Sequence, residues 1–311
     1  MEQLNYQPGD RFSSASQRFD AGVQTILAEK FLKVYDEPLT LEGICFDRQG
    51  NLYFTSTMGN SIFRYDMTAE TLSVVFHRKN TRPAAVKFHK DGRLFAACLT
   101  NEAIGGVIAM DPDGSHLEDI PIVKGYSVDD MVFDKDGGFY FTDFIGDVRN
   151  PSGGVYYVTP DLQKVTLFCG NLCQPNGIAL SRDGSILWVT ETQAGRLHRF
   201  NLKTGRANVV YYFTGMSGPD SCEIDADDNL YVAMPGQGCV LIFNFHGALI
   251  GRVLVPGYMK GRHLFVTHPM VRPGTRELYL TTKDTAPDSE GSWLFRSGSF
   301  AAGNPDAYQF T

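Results

Sequence analysis

Oxygen-bearing side chains recur at one position of a repeated sequence motif. Four residues before the start of each motif stand Glu42, Ala84, Asp129, Asn176 and Asp220 in the first five copies. Three neighbouring carboxylates would repel and raise one another's pKa unless a cation neutralises them. Carboxylate and amide oxygens are the ligands of hard cations, and calcium tolerates the more irregular geometries. The residue types therefore predict a calcium site.

The motifs that define this position are short hairpins. Each has an apolar run, a polar turn with Asp, Gly or Asn, and an aromatic or β-branched run. The copies start 42 to 47 residues apart and read FDRQGNLYF (46–54), FHKDGRLFA (88–96), FDKDGGFYF (133–141), LSRDGSILWV (180–189), IDADDNLYV (224–232) and VRPGTRELYL (271–280). Two further short strands follow each hairpin, and four strands in about 40–50 residues, repeated, indicate a β-propeller. The sequence predicts an all-β fold, a six-bladed β-propeller with a central metal-binding channel.

The shared position determines where the side chains meet. Innermost strands of a propeller run in the same direction beside the channel, so one offset corresponds to one depth. We expect Glu42, Asp129, Asn176 and Asp220 to converge at one mouth. In the sixth copy an indel blurs the register, and His268 lies within a residue or so of the equivalent place. A single acid or Asn-Gly pair is usually a turn residue, so the joint occurrence carries the prediction.

No linker composition divides the chain. We expect residues 1–20 to form an N-terminal arm and residues 21–311 to form a single propeller domain. The segment VQTILAEKF (23–31) has strand composition but no hairpin partner of its own. We therefore expect it to complete the last blade and close the ring.

Composition limits the classes of partner. With 43% apolar residues, 20% charged residues and a net charge of −7, the chain is typical of a globular protein without a nucleic-acid surface. No apolar run approaches the roughly 18 residues of a spanning helix. The N-terminus has neither a basic start nor a hydrophobic stretch, and the six cysteines are scattered. These features predict free thiols and a cytoplasmic protein.

Other chemistries have weaker signals. DKDGGFYFTDFI (134–145) begins like an EF-hand loop, but Ile145 stands where a bidentate Glu is required, which favours a hairpin turn. Neither a G-x-S-x-G elbow nor an H-E-x-x-H motif is present. The ends of the second strands carry Ser56, Thr100, Asp143, Glu191 and Asp284. These could orient ligands or bind substrate, or could simply be polar residues at loop edges.

The motifs also resemble a known family. The stretches LEGICFDRQG, PAAVKFHKDGRLF, DDMVFDKDGGFYFTDF, NGIALS and GPDSCEIDADDNLYVAM are similar, in order and spacing, to the SMP-30/gluconolactonase/luciferin-regenerating family. The resemblance runs from about Leu39 to the C-terminus. It implies a six-bladed propeller that binds calcium in its channel and hydrolyses lactones. By motif, the family's catalytic calcium site corresponds to Glu42, Asp129, Asn176, Asp220 and Ser221, and its proposed proton-transfer residue to Asp220.

A second calcium site of the family is not matched. The members that this chain most resembles share one, built from a Ser-x-Gly turn and an acidic stretch before DDM. Here the turn reads Ala103-Ile104-Gly105, and the stretch IPIVKGYSV (120–128) is shorter and lacks the acid. We therefore expect one calcium ion, with the second site absent or weak.

Together these features predict a calcium-dependent lactonase, a carboxylic ester hydrolase acting on a small-molecule lactone. The metal would polarise the lactone carbonyl and activate water, while Asp220 transfers the proton to the leaving alkoxide. Ala84 leaves one blade without a ligand, which offers a path for substrate. Two alternatives stay open: a phosphotriesterase on the same metal, and a non-catalytic calcium-binding or docking propeller. Neither nucleic acid nor membrane is an expected partner.

Overall fold

The computed structural model describes residues 23–100, 105–215 and 217–305. These residues form six sheets, each of four strands except one that has a fifth. The predicted N-terminal arm over residues 1–20 lies outside the described residues, as do Ala103 and Ile104 of the second-site prediction.

Each sheet is one blade, numbered here in chain order. Blade 1 contains β3 Leu41–Phe46, β4 Leu52–Ser56, β5 Ser61–Asp66 and β6 Thr71–His77; blade 2 contains β7 Pro83–Phe88, β8 Leu94–Cys98, β9 Gly106–Met110 and β10 Glu118–Asp119. Blade 3 contains β11 Val128–Phe133, β12 Phe139–Asp143, β13 Gly153–Val158 and β14 Val165–Leu172; blade 4 contains β15 Pro175–Leu180, β16 Ile186–Glu191, β17 Arg196–Asn201 and β18 Arg206–Tyr212.

The last two blades also use the start of the chain. Blade 5 contains β19 Cys222–Ile224, β20 Leu230–Met234, β21 Cys239–Phe243, β22 Leu249–Leu254 and, at its outer edge, β1 Gln24–Leu27. Blade 6 contains β23 Phe265–Val271, β24 Glu277–Lys283, β25 Ser292–Gly298 and β2 Glu29–Tyr35. Short 3-10 helices lie at Pro121–Val123 and Tyr258–Lys260.

The first strand of each blade lies innermost, and these strands form a closed ring. β3 contacts β7, and the contacts continue through β11, β15, β19 and β23 back to β3. Ring closure confirms the predicted six-bladed β-propeller. It also places β7 and β19, three steps apart, on opposite sides of the channel.

The hydrophobic core is divided among the blade interfaces. Six buried clusters occur, each shared by two neighbouring blades. In the cluster between blades 2 and 3, for example, Phe95 packs edge-on against Phe133 at 5.2 Å. Complete burial of such a side chain contributes about 1.5–3 kcal/mol. The strands are therefore apolar on both faces, and the ring does not depend on any single interface.

The N-terminal segment closes the ring in two pieces rather than one. β2 completes blade 6 by antiparallel pairing with β25, as predicted, but it extends to Tyr35 instead of ending at residue 31. β1 instead adds to blade 5, in parallel with β22. The break at Ala28 allows one short segment to join two blades, because the chain crosses from one blade edge to the next there.

The aspartates of the polar turns have a structural role. Asp134, which starts the EF-hand-like stretch, accepts hydrogen bonds from the backbone N–H groups of Asp136 and Gly138 at 2.9 and 3.0 Å. It thereby closes the hairpin between β11 and β12. The hairpin interpretation of DKDG is confirmed.

Two further expectations concern the cysteines and helices. All six cysteines lie in the described ranges and have free thiols, as predicted. Among the described residues, no helix has the length and apolarity needed to cross a membrane.

Candidate metal centre

The predicted ligands lie at the start of the innermost strands, beside β-bulges. Glu42 is the second residue of β3, Asp129 of β11 and Asn176 of β15, while Asp220 and Ser221 directly precede β19. The pairing with the second strand shifts register just after these positions in blades 1, 3 and 4. A bulge re-aims a side chain without ending the strand. All five residues are buried.

Glycine follows two of these ligands because the next blade passes very close. A β-carbon on Gly43 would lie 2.4 Å from the α-carbon of Ala85, and one on Gly177 would lie 2.5 Å from the backbone nitrogen of Cys222. Gly43 also has a φ of +44°, which disfavours other residues. Neighbouring inner strands can therefore approach closely at the depth of Glu42 and Asn176.

The three carboxyl groups lie within electrostatic range of one another. Burial raises the pKa of Glu42 well above its usual value, and Asp220, Asp129 and Asp130 raise it further. Burial and then Asp220 likewise raise the pKa of Asp129. Burial raises the pKa of Asp220 to about 7, although hydrogen bonds from Asn176 and the Ser221 backbone oppose the shift. Burying three acids together is unfavourable unless something compensates their charge.

Two oxygens in this group lack partners. Glu42 Oε2 and Asn176 Oδ1 are buried and accept no hydrogen bond from the described residues. Buried acceptors are nearly always paired, so an all-oxygen set with two orphaned members fits a hard cation such as calcium. No three His, Cys, Asp or Glu side chains of the described ranges are gathered tightly enough to form a ready-made metal cage. The ligand assignment of Glu42, Asp129, Asn176, Asp220 and Ser221 stays a prediction.

The sixth blade contributes Thr267 at the shared position. In β23 the register shift falls between Val266 and Pro269, and aligning it with the other bulges places Thr267, not His268, beside Glu42. His268 is one residue further along. It is fully buried, and neither ring nitrogen has a partner among the described residues. Burial, and then Lys87, lowers its pKa well below the usual value, which keeps the ring neutral.

Threonines join the ligand strands from blade to blade. Thr142 Oγ1 donates to the carbonyl oxygen of Asn176 at 2.6 Å, and Thr190 Oγ1 donates to that of Asp220 at 2.7 Å. Each threonine lies on the second strand of one blade and reaches the first strand of the next. Thr190 also accepts a hydrogen bond from Gly177 N at 2.7 Å. These bonds fix the backbone at the proposed ligands. The sequence pattern did not predict them.

The acids at the ends of the second strands are occupied by structural hydrogen bonds. Asp143 accepts from Ser127 N at 2.8 Å, and Glu191 accepts from Cys173 N at 2.7 Å. Glu191 also binds Arg196 and His198, while Asp284 binds Arg262 and three backbone N–H groups. These acids could have oriented ligands or been polar residues at loop edges. Their hydrogen bonds support the second interpretation, in which they fix the loops.

A buried ion pair crosses the channel below the predicted site. Lys87 Nζ lies 2.6 Å from Glu223 Oε2, and both side chains are nearly buried. Lys87 is on β7 and Glu223 is on β19, so the pair spans opposite blades, three residues deeper than Ala84 and Asp220. Although burial opposes it, Glu223 and Asp130 raise the pKa of Lys87 and keep it charged. A cavity of about 670 Å³ at the other end of the channel also reaches Lys87 and Glu223.

One cation at the mouth was missed by the sequence interpretation. Lys283, the last residue of β24, donates to Thr40 Oγ1 at 2.7 Å and lies 4.2 Å from the centre of the Phe265 ring. Burial lowers its pKa, while Glu42 and Asp220 act in the opposite direction. The sequence prediction rests on oxygen ligands, and a lysine cannot be one. No motif around Lys283 and its neighbour Asp284 indicated a role for the lysine.

Comparisons with known proteins identify the family. A sequence model of the SMP-30/Gluconolactonase/LRE-like region matches residues 121–284. Lactonase drp35 of Staphylococcus haemolyticus (strain JCSC1435) is 48% identical over 302 residues, covering 94% of this chain and 93% of that protein. The chain belongs to the SMP-30/gluconolactonase/LRE-like family. Another member of this family, Lactonase drp35 of Staphylococcus aureus (strain MRSA252), is 46% identical, with coverage of 94% and 92%.

Solved structures share the fold. A luciferin-regenerating enzyme superposes with a TM-score of 0.71 at 18% identity, covering 90% of this chain and 99% of that one. Regucalcin from Agrobacterium tumefaciens, described as a calcium-binding protein, superposes with a TM-score of 0.70 at 19% identity, with coverage of 90% and 98%. At these identities the likeness establishes the propeller fold alone.

Proposed function

We propose that the protein is a calcium-dependent lactonase. The observation that carries the proposal is the group of three buried carboxyl groups, Glu42, Asp129 and Asp220, at one mouth of the channel. Family membership supports the reaction class, because relatives that are 46–48% identical to this chain are named lactonases. The six free thiols support a cytoplasmic location. The substrate would be a small lactone, and neither nucleic acid nor membrane has a place in the proposal.

The chain would hold the ion through oxygen ligands from four blades. These are the carboxylates of Glu42, Asp129 and Asp220, the amide oxygen of Asn176, and Ser221. In the described part of the chain, Glu42 Oε2 and Asn176 Oδ1 accept no hydrogen bond, so both are free to bind the ion. Calcium, when bound, would polarise the lactone carbonyl and stabilise the negative charge that develops on its oxygen. We infer one dominant site, because the full set of ligands occurs once in the described part of the chain.

Asp220 is the proposed proton-transfer residue. In the metal-free site, burial raises the pKa of its carboxyl to about 7. Nearby positive charge would lower that pKa and favour the ionised, proton-accepting form. Asp220 would then take a proton from the attacking water and return it to the ring oxygen.

A substrate screen tests this proposal. Lactones and phosphotriesters are offered to the protein in a pH-stat, with excess calcium and again with a chelator. We expect calcium-dependent acid release from lactones and none after chelation. Release from phosphotriesters alone would replace the lactonase assignment, and activity on neither class would favour a non-catalytic calcium-binding propeller.

A further inference from the structure

The mouth of the channel holds a lysine that the proposed mechanism does not use. Lys283 lies at the end of β24 in blade 6, and its partner Thr40 lies two residues before the proposed ligand Glu42 in blade 1. Its side chain is half-buried, and its ammonium lies within electrostatic range of Glu42 and Asp220. The lysine therefore stands where a molecule entering the acidic site would pass.

Lys283 keeps donors available for a ligand. Its ammonium group has three N–H bonds, and within the described part of the chain Thr40 Oγ1 is its one hydrogen-bond acceptor. Phe265 supports the stem and faces the charge at 4.2 Å, which fixes the head without consuming a donor. No carboxylate of the described ranges lies within ion-pair distance of it, although Glu42 and Asp220 influence it electrostatically. The arrangement holds a positive charge near the acids but does not pair it with them.

Lactone hydrolysis produces a charge that needs such a partner. Water adds to the acyl carbon, the bond between that carbon and the ring oxygen breaks, and the ring oxygen leaves as a hydroxyl group. The new carboxylic acid loses a proton and becomes a carboxylate. The three carboxylates of Glu42, Asp129 and Asp220 carry more negative charge than one calcium ion neutralises, so the product carboxylate would still be repelled unless a further cation receives it.

We propose that Lys283 is the residue that binds the carboxylate released by ring opening. The inference rests on the proposed lactonase function and assigns a substrate-contacting role within the same site. Lys283 is not a metal ligand, and it acts as a positive charge near the ion. Its removal therefore has opposite effects on the two charged ligands: carboxylate binding weakens, while calcium binding strengthens because a like charge has gone.

Binding measurements on the calcium-loaded protein test this inference. The probes are gamma-hydroxybutyrate, the ring-opened form of a simple lactone, and the neutral amide of the same acid, titrated by ligand-observed NMR. The variant is Lys283→Met. The matched control is Lys260→Met, which removes an equal charge from an exposed position after β22. Lys283→Arg keeps the positive charge and therefore shows whether replacing the lysine side chain disturbs folding when the charge is unchanged.

We expect Lys283→Met to weaken hydroxy-acid binding about tenfold, in line with loss of a charge-assisted hydrogen bond. Amide binding should not change, and calcium affinity should rise about twofold to fivefold. Lys260→Met and Lys283→Arg should resemble the wild type in both respects. Equal hydroxy-acid affinity in the two Met variants, or weaker calcium binding in Lys283→Met, would overturn the assignment. A protein that hydrolyses no lactone but shows this charge dependence would instead refute the lactonase function and leave an anion-binding site.

Discussion

Asp220 differs from the other proposed ligands in its surroundings. Asn176 and the Ser221 backbone both hydrogen-bond to its carboxyl group, whereas Glu42 Oε2 has no hydrogen-bond partner among the described residues. A carboxyl group that accepts hydrogen bonds from fixed donors can keep its position when it gains or loses a proton. An oxygen without donors is better suited to a fixed cation. The two acids should therefore respond differently to loss of one charge.

Replacing each acid by its amide separates the two roles. Asp220→Asn keeps an oxygen for calcium but accepts no proton at neutral pH, so kcat should fall by about two to four orders of magnitude even at saturating calcium. Glu42→Gln should bind calcium more weakly and recover most of its activity when calcium is in excess. Initial rates over a calcium series decide between them. Full rescue of Asp220→Asn would make Asp220 a ligand only.

The raised pKa values also predict how stability depends on pH. In the unfolded chain these carboxyl groups ionise near pH 4, but in the folded chain burial holds the pKa of Asp220 near 7 and those of Glu42 and Asp129 well above normal. Between these values the folded, calcium-free protein binds more protons than the unfolded chain, so its stability falls as pH rises.

Thermal melts from pH 5.5 to 8, with calcium and with chelator, measure this effect. We expect the Tm of the chelated protein to decrease over this range, and the stabilisation by calcium to increase, because calcium competes with fewer protons at high pH. A calcium increment that is constant with pH would mean that these carboxyl groups do not bind the ion.

The first two strands of each blade carry the geometry of the centre. In blades 3 and 4 the bulge on the first strand aims the ligand, and the threonine on the second strand holds the backbone of the next blade. Ala97 and Ala233 take the threonine position in blades 2 and 5, so the bond is missing there. In blade 1, Thr55 makes only a long bond of 3.3 Å to Ala84, the blade without a ligand.

This pattern yields a matched pair of variants. Thr190→Val keeps the shape but leaves Gly177 N and the Asp220 carbonyl oxygen unpaired, which should cost about 1–3 kcal/mol of unfolding free energy. It should also weaken calcium binding, because the Asp220 backbone is released. Thr55→Val should lose less stability and keep its calcium affinity. Chemical denaturation and calcium titration of both proteins provide the comparison, and equal calcium affinities would show that the bond does not position the ligand.

The repeated hairpins were enough to predict the blades, because strand, turn and strand are adjacent in sequence. Features that depend on contacts between distant residues were not predicted. The sequence could place His268 only to within about a residue of the shared position, because the position of a bulge follows from pairing with β24. The threonine bonds and the place of Lys283 follow from the spacing between blades. The split of the N-terminal segment into β1 and β2 follows from which blade edge each strand meets.

The ring is held together by six cores, so the metal should not be essential for folding. If calcium at about 100 times its dissociation constant binds only the folded state, it adds about 2.7 kcal/mol, or about 4 °C of Tm for a chain of this size. We expect chelation to abolish activity and to lower Tm by that amount. Far-ultraviolet circular dichroism at room temperature should stay unchanged. Loss of the β signal on chelation would show that calcium is required for folding.

The pairing of β2 with β25 also affects how the protein is made. Arg296 on β25 and Glu29 on β2 are hydrogen-bonded but lie 267 residues apart in sequence. At roughly 5–20 residues per second, the ribosome takes a quarter of a minute to about a minute to synthesise that span. During this time β2, with its apolar Phe31 and Leu32, has emerged without a partner, and both edges of the growing array stay open. The nascent chain can build its early blades in order, but the ring closes only after the final strand has left the ribosome.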